Sequence, residues 1–432
     1  MGRHKEIDVL VKDLVVTDDL EAKQKITTEI ISIARSKSIF ISSIHELYLA
    51  RAKGQAPGNF TIPVMNLRGL TYDLARAIFR VAIKINAGAF IFGLSKTEIV
   101  YTAQSPVEYT GVILAAAIKE NFSGPVFIQA NHFQVKDRLF FIDPEKELTL
   151  IKQLIEDAVS AGFLNMEIDS STLIDLSKLT AQEQQKDNFE IAVRLTQFIR
   201  EIQPEGVHIS LGASIGEVEG RNTSLEELKV YLDGYQQALA PGVEGLDKLN
   251  VYAGEPQGGV ALADGSLAQV KVDFDTLKNL SKFVQTHYSL AGIVQEAGVT
   301  LPTGVFHKFV EAETLEIHFA AYFQNLMFDS AMFPKDLKEK MYAWVKRHCV
   351  DDKRETLTED QFLYRTRKKA LGPFKKEIMD LPTEMKEGIA REIEAKFDFI
   401  FKQLKISDTK NLVATHIKPV DVKLGVRRMA AV

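Results

Sequence analysis

Residues 124–137, GPVFIQANHFQVKD, read as a buried strand: an apolar run that stops on Asn131 and His132. A core strand that ends on an amide and an imidazole brings two polar groups to one rim of the sheet it joins. Short apolar runs of the same kind occupy 60–66, 88–95, 163–169, 207–214, 248–254, 291–296 and 314–320. Helical periodicity fills the gaps, as in TYDLARAIFRVAIKI, LTLIKQLIEDAVSA, NFEIAVRLTQFIREI and FDTLKNLSKFVQTHY. Eight strands separated by helices predict a (β/α)8 TIM barrel. An open doubly wound sheet is the alternative. It is the weaker one because no strand is followed by a G-x-G-x-x-G turn, which also leaves no nucleotide cofactor to expect.

Outward from the barrel the texture changes. Residues 1–58 read as an N-terminal helical extension, two amphipathic helices closed by a Gly/Pro break, and 59–330 as the barrel. Residues 331–432 read as a helical region of charged amphipathic segments such as KDLKEKMYAWVKRH and EMKEGIAREIEAKFDFIFKQL. The basic run 365–369, RTRKK, is open to an anion-site reading. A solvated helix face is the preferred one, because acidic residues surround it.

The bulk properties exclude several classes. Of the 432 residues, 26% are charged and the net charge is -5, so nothing attracts nucleic acid or an anionic membrane. No apolar run approaches the ~20 residues of a spanning helix, and MGRHKEIDVLVKDL lacks a signal-peptide core. The single cysteine, Cys349, excludes an intrachain disulfide framework. A cytoplasmic setting is expected.

In such a barrel the chemistry lies at the C-terminal ends of the strands. Those ends carry Asn66, Ser95, Asn131 with His132, Asp169, Ser214, Gln257, Glu296 and, within the eighth strand, His318. Together they suit a hydroxylated small molecule, although any one of them can simply cap and hydrate the mouth. Asp169 reads equally as a catalytic base or as a cap on the following segment. Glu316 and His318 share a strand face. If that face looks inward, His318 joins His132 and Glu296 around a metal; a plain core histidine is the simpler reading. His208 is expected as a hydrogen-bonded core histidine. Lys96 and Lys248 are the lysines considered for Schiff-base chemistry, which is disfavoured.

The pattern resembles class II, metal-dependent fructose-bisphosphate aldolases, in a long branch with extra helices at both ends. FTIPVMN is similar to their F-x-x-P-x-x-N, PVFIQANHF to their third strand ending on Asp-His, and ASIGEVEGRN to a Glu-Leu-Gly-x-x-Gly-Gly segment. GEPQGGV and GIVQEAG fall where the family has its later zinc histidines.

The resemblance implies substrate contacts at Asn66 and Ser95 and a metal ligand at His132. It places Asn131 at the position of the proton-transfer Asp, Gln257 and Glu296 at two zinc histidines, and EAGVT at the phosphate loop. An amide cannot transfer a proton near neutral pH. One His, one Glu and an amide make a poorer Zn²⁺ site, and an oxygen-rich set suits a harder ion such as Mg²⁺ or Mn²⁺; Zn²⁺, Mn²⁺ or Mg²⁺ is the cation to expect. The expected function is therefore a divergent aldolase-like protein that recognises a sugar or sugar phosphate, with the ancestral aldol-cleavage site altered. The sites assigned are Asn131 and Asp169 as catalytic, Asn66, Ser95 and Gln257 for substrate, and His132, Glu296 and His318 for metal. The alternative is a non-catalytic paralogue acting as a binding or stabilising subunit of an active aldolase. The expected partners are a sugar or sugar-phosphate ligand and either further copies of this chain in a homo-oligomer or another aldolase subunit.

Overall fold

The structure is a computed structural model, described here for residues 6–217, 220–254, 261–263, 266–268, 271–297, 301–420 and 422. Nine strands are present among them: β1 (Ile39–Ser42), β2 (Ile62–Asn66), β3 (Ile91–Ser95), β4 (Gly124–Gln134), β5 (Asn165–Asp169), β6 (Ser210–Ser214), β7 (Lys248–Val251), β8 (Gly292–Ala297) and β9 (Glu316–Phe319). Strands β2 to β9 pair in parallel with their sequence neighbours, and β2 pairs with β9 to close the ring. This is the (β/α)8 barrel, and closure excludes the open sheet. The strands are buried along their length, as parallel strands between a filled lumen and a helical jacket must be.

The lumen is not filled by aliphatic side chains alone. Lys248 at the start of β7 is fully buried, with Nζ 2.5 Å from Glu316 Oε1 on β9 and 2.7 Å from Gln129 Oε1 on β4. A long lysine fits because Gly212 faces it from β6, where a Cβ would come within 2.9 Å of Lys248 Cε. A buried charge needs a partner of this kind, since desolvation without one costs several kcal/mol, on the order of 3–5 when one partner is removed.

The N-terminal segment departs from the two-helix reading, because it also contributes strand β1 and a third helix, His45–Ala52. Strand β1 pairs with the first residues of β4, Ile39 opposite Gly124 and Ser42 opposite Phe127. Farther along, the same edge of β4 passes to β5. Asn165 bridges this handover: its Oδ1 accepts from Ile44 N (2.8 Å) and its Nδ2 donates to Ser42 O (3.2 Å) and Ile128 O (3.0 Å). Helix His45–Ala52 then floors the barrel. Its Tyr48 is fully buried, donates to Glu316 Oε1 and lies 5.6 Å from Lys248 Nζ through the ring centroid.

After β9 the described residues are helical. Helix Thr383–Gln403 packs on Thr71–Lys84 and inserts Phe397, which stacks on Phe323 at 4.5 Å and meets Phe319 of β9 edge-on at 5.5 Å. The basic run is a solvated face only in part: Arg365 is exposed, but Arg367 is not. Arg367 is 5% exposed and donates to Asn325 Oδ1 (2.7 Å) and Asp329 Oδ1 (3.1 Å), pinning the turn Arg367–Ala370 to the helix that follows β9.

Candidate active site at the barrel mouth

A strand alternates its side chains, so Asn131 and His132 cannot both face the lumen on a regular β4. The strand solves this with a bulge. Its register with β5 shifts between Ala130 and Phe133, and His132 takes a left-handed φ of 43°. Both side chains then turn inward. His132 Nε2 lies 2.7 Å from Glu296 Oε1, and its Nδ1 lies 3.4 Å from both Glu167 Oε1 and Asp169 Oδ2.

From the far wall His318 joins them. Its Nδ1 is 3.0 Å from the same Glu296 oxygen, and its Nε2 is 2.9 Å from Glu316 Oε2. His132, Glu167, Glu296 and His318 each bring a ligand atom within 4.8 Å of the others. Three of these four are the residues singled out in the sequence. The fourth, Glu167, was missed, though it precedes Asp169 by two residues and so shares its face of β5.

The cluster is electrostatically unusual. Burial would depress the His132 imidazolium, but Glu167 and Glu296 outweigh it and hold its pKa well above the ordinary value. His318 behaves likewise: burial opposes its charge, Glu296 and Glu167 prevail, and the pKa is raised to about 9. Glu296 responds in reverse, with burial overcome by the two imidazoles and the carboxyl held far below its usual range. One oxygen is left over. Glu167 Oε1 accepts from Asn250 Nδ2 at 3.0 Å, while Oε2 is buried with no hydrogen bond, 3.9 Å from His318 Nδ1.

The residues fit a divalent cation. Two imidazoles and two carboxylates converge, one carboxylate oxygen among them makes no hydrogen bond, and each imidazole is held by a further carboxylate. Such outer partners fix the tautomer of ligating histidines. In the neutral form that a cation requires, His318 would donate Nε2–H to Glu316 and keep Nδ1 on the Glu296 side.

The remaining sequence candidates surround this cluster. Asn66 and Asn131 hydrogen-bond to each other, Asn131 Nδ2 donating to Asn66 Oδ1 at 2.6 Å, in the space left by Gly93 on β3. Asn66 Nδ2 donates in turn to Glu98 (2.8 Å), and Asn131 Oδ1 accepts from Gln129 (2.8 Å). Ser95 caps the helix Lys96–Thr102 in a capping box with Glu98. Asp169 caps the segment that follows it and also reaches the cluster. Its Oδ1 accepts from Ser171 N (3.1 Å) and Oγ (2.6 Å), while Oδ2 faces His132. Gln257 lies outside the described residues. Lys96 is engaged by Gln134 O at 2.8 Å and Glu147 at 3.1 Å.

His208 is not a core histidine: its side chain is 52% exposed and pairs with Glu244 at 2.8 Å, stacked on His45 beneath the barrel. The expectation failed because β6 begins only at Ser210.

Two cavities open over the cluster. One of about 420 Å³ is bounded by Asn66, Ser95, His132 and Glu296, and by Arg68 and Lys368 on its far wall. The other, about 330 Å³, is bounded by Asp169, Ser171, Ser214, Asn250 and Glu296. The first falls within the range of small-molecule sites, roughly 300–1,000 Å³. Among the described residues no helix is long and apolar enough to cross a membrane.

No family model matches the chain, and no curated protein sequence matches it. Solved structures do. The chain is similar to a probable tagatose 6 phosphate kinase from Sinorhizobium meliloti 1021, at 13% identity over 82% of this chain and 93% of that one, with a TM-score of 0.53. It is also similar to the fructuronate-tagaturonate epimerase from Cohnella laeviribosi, at 10% identity over 92% and 86%, with a TM-score of 0.50. A fructose-bisphosphate aldolase from Campylobacter jejuni aligns at 14% identity over 86% and 96%, with a TM-score of 0.49. At these identities the likeness is one of barrel fold.

Proposed function

We propose that this chain is a divergent class II aldolase-like enzyme, a lyase or epimerase of ketose sugars. It works with a divalent cation held by His132, Glu167, Glu296 and His318. The observation that carries the reading is the convergence of these four groups, Glu167 and His318 buried and His132 and Glu296 half-buried, around a Glu167 Oε2 that makes no hydrogen bond. A fold shared with a fructuronate-tagaturonate epimerase supports a sugar substrate.

Bound there, a divalent ion supplies Lewis-acid polarisation of a substrate oxygen. The mixed nitrogen and oxygen donors favour Zn²⁺ or Mn²⁺ over Mg²⁺, which prefers oxygen alone. The protein does the rest. Glu316 orients His318, and Asn250 orients Glu167. Asn131 and Asn66 form a fixed amide pair that donates and accepts hydrogen bonds without moving protons.

Asp169 Oδ2, at the edge of the second cavity, is the proton-transfer group. Burial pushes its carboxyl up, and hydrogen bonding to charged His132 more than offsets this, leaving it below the usual carboxylate range. Once His132 is neutral that part of the restraint is removed, the Ser171 hydrogen bonds remain, and the carboxylate becomes a stronger base than beside the charged ring.

The test is a screen of ketose phosphates and hexuronates in D₂O with protein loaded with Mn²⁺ or Zn²⁺, followed by NMR. Deuterium entry beside the carbonyl, epimerisation or cleavage is expected. It should vanish with chelator and fall 10²–10⁴-fold in Asp169→Asn, the range typical for loss of a general acid–base group. Metal-loaded protein that binds sugars but never exchanges a proton would leave the non-catalytic binding role.

A further inference from the structure

The larger cavity has a feature that the cation cluster does not use. Besides His132 and Glu296, its lining holds Arg68, Arg365 and Lys368, cations from two distant parts of the chain. Arg68 follows β2, is 7% exposed and bonds Glu98 through Nε at 2.5 Å. Lys368 and Arg365 come from the C-terminal helical region. Neither has a carboxylate within salt-bridge distance among the described residues.

Lys368 is nevertheless partly buried and placed near a like charge. Tyr101 lies between the two cations, with Arg68 Cζ 5.7 Å and Lys368 Nζ 5.6 Å from its ring centroid. The Tyr101 hydroxyl is buried without a hydrogen-bond partner. Burial and the neighbouring Arg68 both push the Lys368 ammonium toward its neutral form. The cationic arrangement is held from outside: Arg367, one residue before Lys368, is locked to Asn325 and Asp329. Of the two carboxylates on this cavity, Glu98 is paired with Arg68 and Glu296 is held by the two imidazoles, which leaves Lys368 and Arg365 with charge that an anion would complete.

We infer that Arg68, Lys368 and Arg365 form an anion subsite that holds the phosphate or carboxylate end of the substrate while its other end reaches the His132 cluster. This deepens the proposed function and rests on it for the word substrate, but not for the anion. The C-terminal region thereby becomes part of the site, supplying charge where the chain lacks the phosphate loop its sequence resemblance would lead one to expect.

The test titrates the full chain with inorganic phosphate and, separately, with glucuronate, by calorimetry. Wild type is compared with Lys368→Met, Lys368→Arg and Glu167→Gln, each first checked for an unchanged thermal midpoint. Saturable binding of phosphate, glucuronate or both is expected, weakened at least tenfold in Lys368→Met and restored in Lys368→Arg. Which probe binds tells phosphate from carboxylate. Binding of neither, or equal binding to wild type and Lys368→Met, would overturn the subsite. Glu167→Gln separates the two readings, because it should spare phosphate binding while abolishing cation uptake. Phosphate binding in a protein that takes up no cation would remove the metal reading and leave the subsite standing.

Discussion

His132 is held where an ordinary residue resists going. A left-handed backbone in a non-glycine residue costs on the order of 1–3 kcal/mol, and the bulge around it interrupts the β4–β5 ladder. Both persist because Glu296, Glu167 and Asp169 receive its ring. The charges around it predict a specific pH response of the metal-free protein. The raised pKa of His318 means that its stabilisation is complete below the unfolded value of 6.5 and is lost as pH rises through about 9. Glu316 acts oppositely. Burial would raise its pKa, but Lys248 and His318 hold it at about 2, so its contribution is present above 4.5 and lost as pH falls toward 2. Urea midpoints of chelated protein should therefore fall between pH 6.5 and 9.5, and Mn²⁺ or Zn²⁺ should flatten that fall, since neutral imidazoles bind the ion. A midpoint that rises over this range would contradict the charged state assigned to His318.

Glu316 offers a second residue-scale prediction. Replacing it with Gln leaves Lys248 buried without its counterion and His318 without its orienting carboxylate. The expected loss is about 3–5 kcal/mol of stability and a 10–100-fold weaker cation affinity, read by denaturation and by metal titration. Glu316→Gln with native stability would contradict the role given to the Glu316–Lys248 pair.

At the scale of elements, what the sequence reveals follows what patterning can encode. The barrel strands were legible because parallel strands buried on both faces are runs of apolar residues, and their polar ends marked the mouth. Strand β1 was not, because IFIS is four residues long and its pairing with β4 is set by a partner more than 80 positions away. Glu167 was legible in principle from the period-two alternation with Asp169. Lys248 and Tyr48 were not, since nothing local shows that a lysine and a tyrosine meet Glu316 inside a barrel. The basic run 365–369 read as solvated because composition cannot reveal that Arg367 docks on Asn325 and carries Lys368 over the mouth.

The same scale gives a test of the β1 junction. Asn165→Ala strips partners from Ile44 N, Ser42 O and Ile128 O, and unsatisfied buried groups cost about 1–3 kcal/mol each. A denaturant midpoint unchanged in Asn165→Ala would show that these backbone groups find other partners. Gly93→Ala is expected to cost about 1–3 kcal/mol by overpacking, because a Cβ there would lie 2.2 Å from Asn66 Oδ1.

Over the whole molecule, segments from both ends of the chain complete the barrel. Helix His45–Ala52 floors it, Thr383–Gln403 braces its flank, and the turn Arg367–Ala370 reaches its mouth. Phe397→Ala should thus destabilise by about 3–5 kcal/mol and shift the main unfolding transition. A separate early transition of the C-terminal helices would show that they fold apart from the barrel.

The measurement that tests the central claim most directly is metal stoichiometry, by elemental analysis after dialysis against Zn²⁺ and Mn²⁺. Wild type, Glu167→Gln, His132→Ala and His318→Ala should be compared, with folding of each confirmed by circular dichroism. The account predicts about one ion per wild-type chain and loss of that ion in all three folded variants. Wild type without bound metal, or variants that bind it as well as wild type, would contradict the claim that these four groups form the catalytic centre.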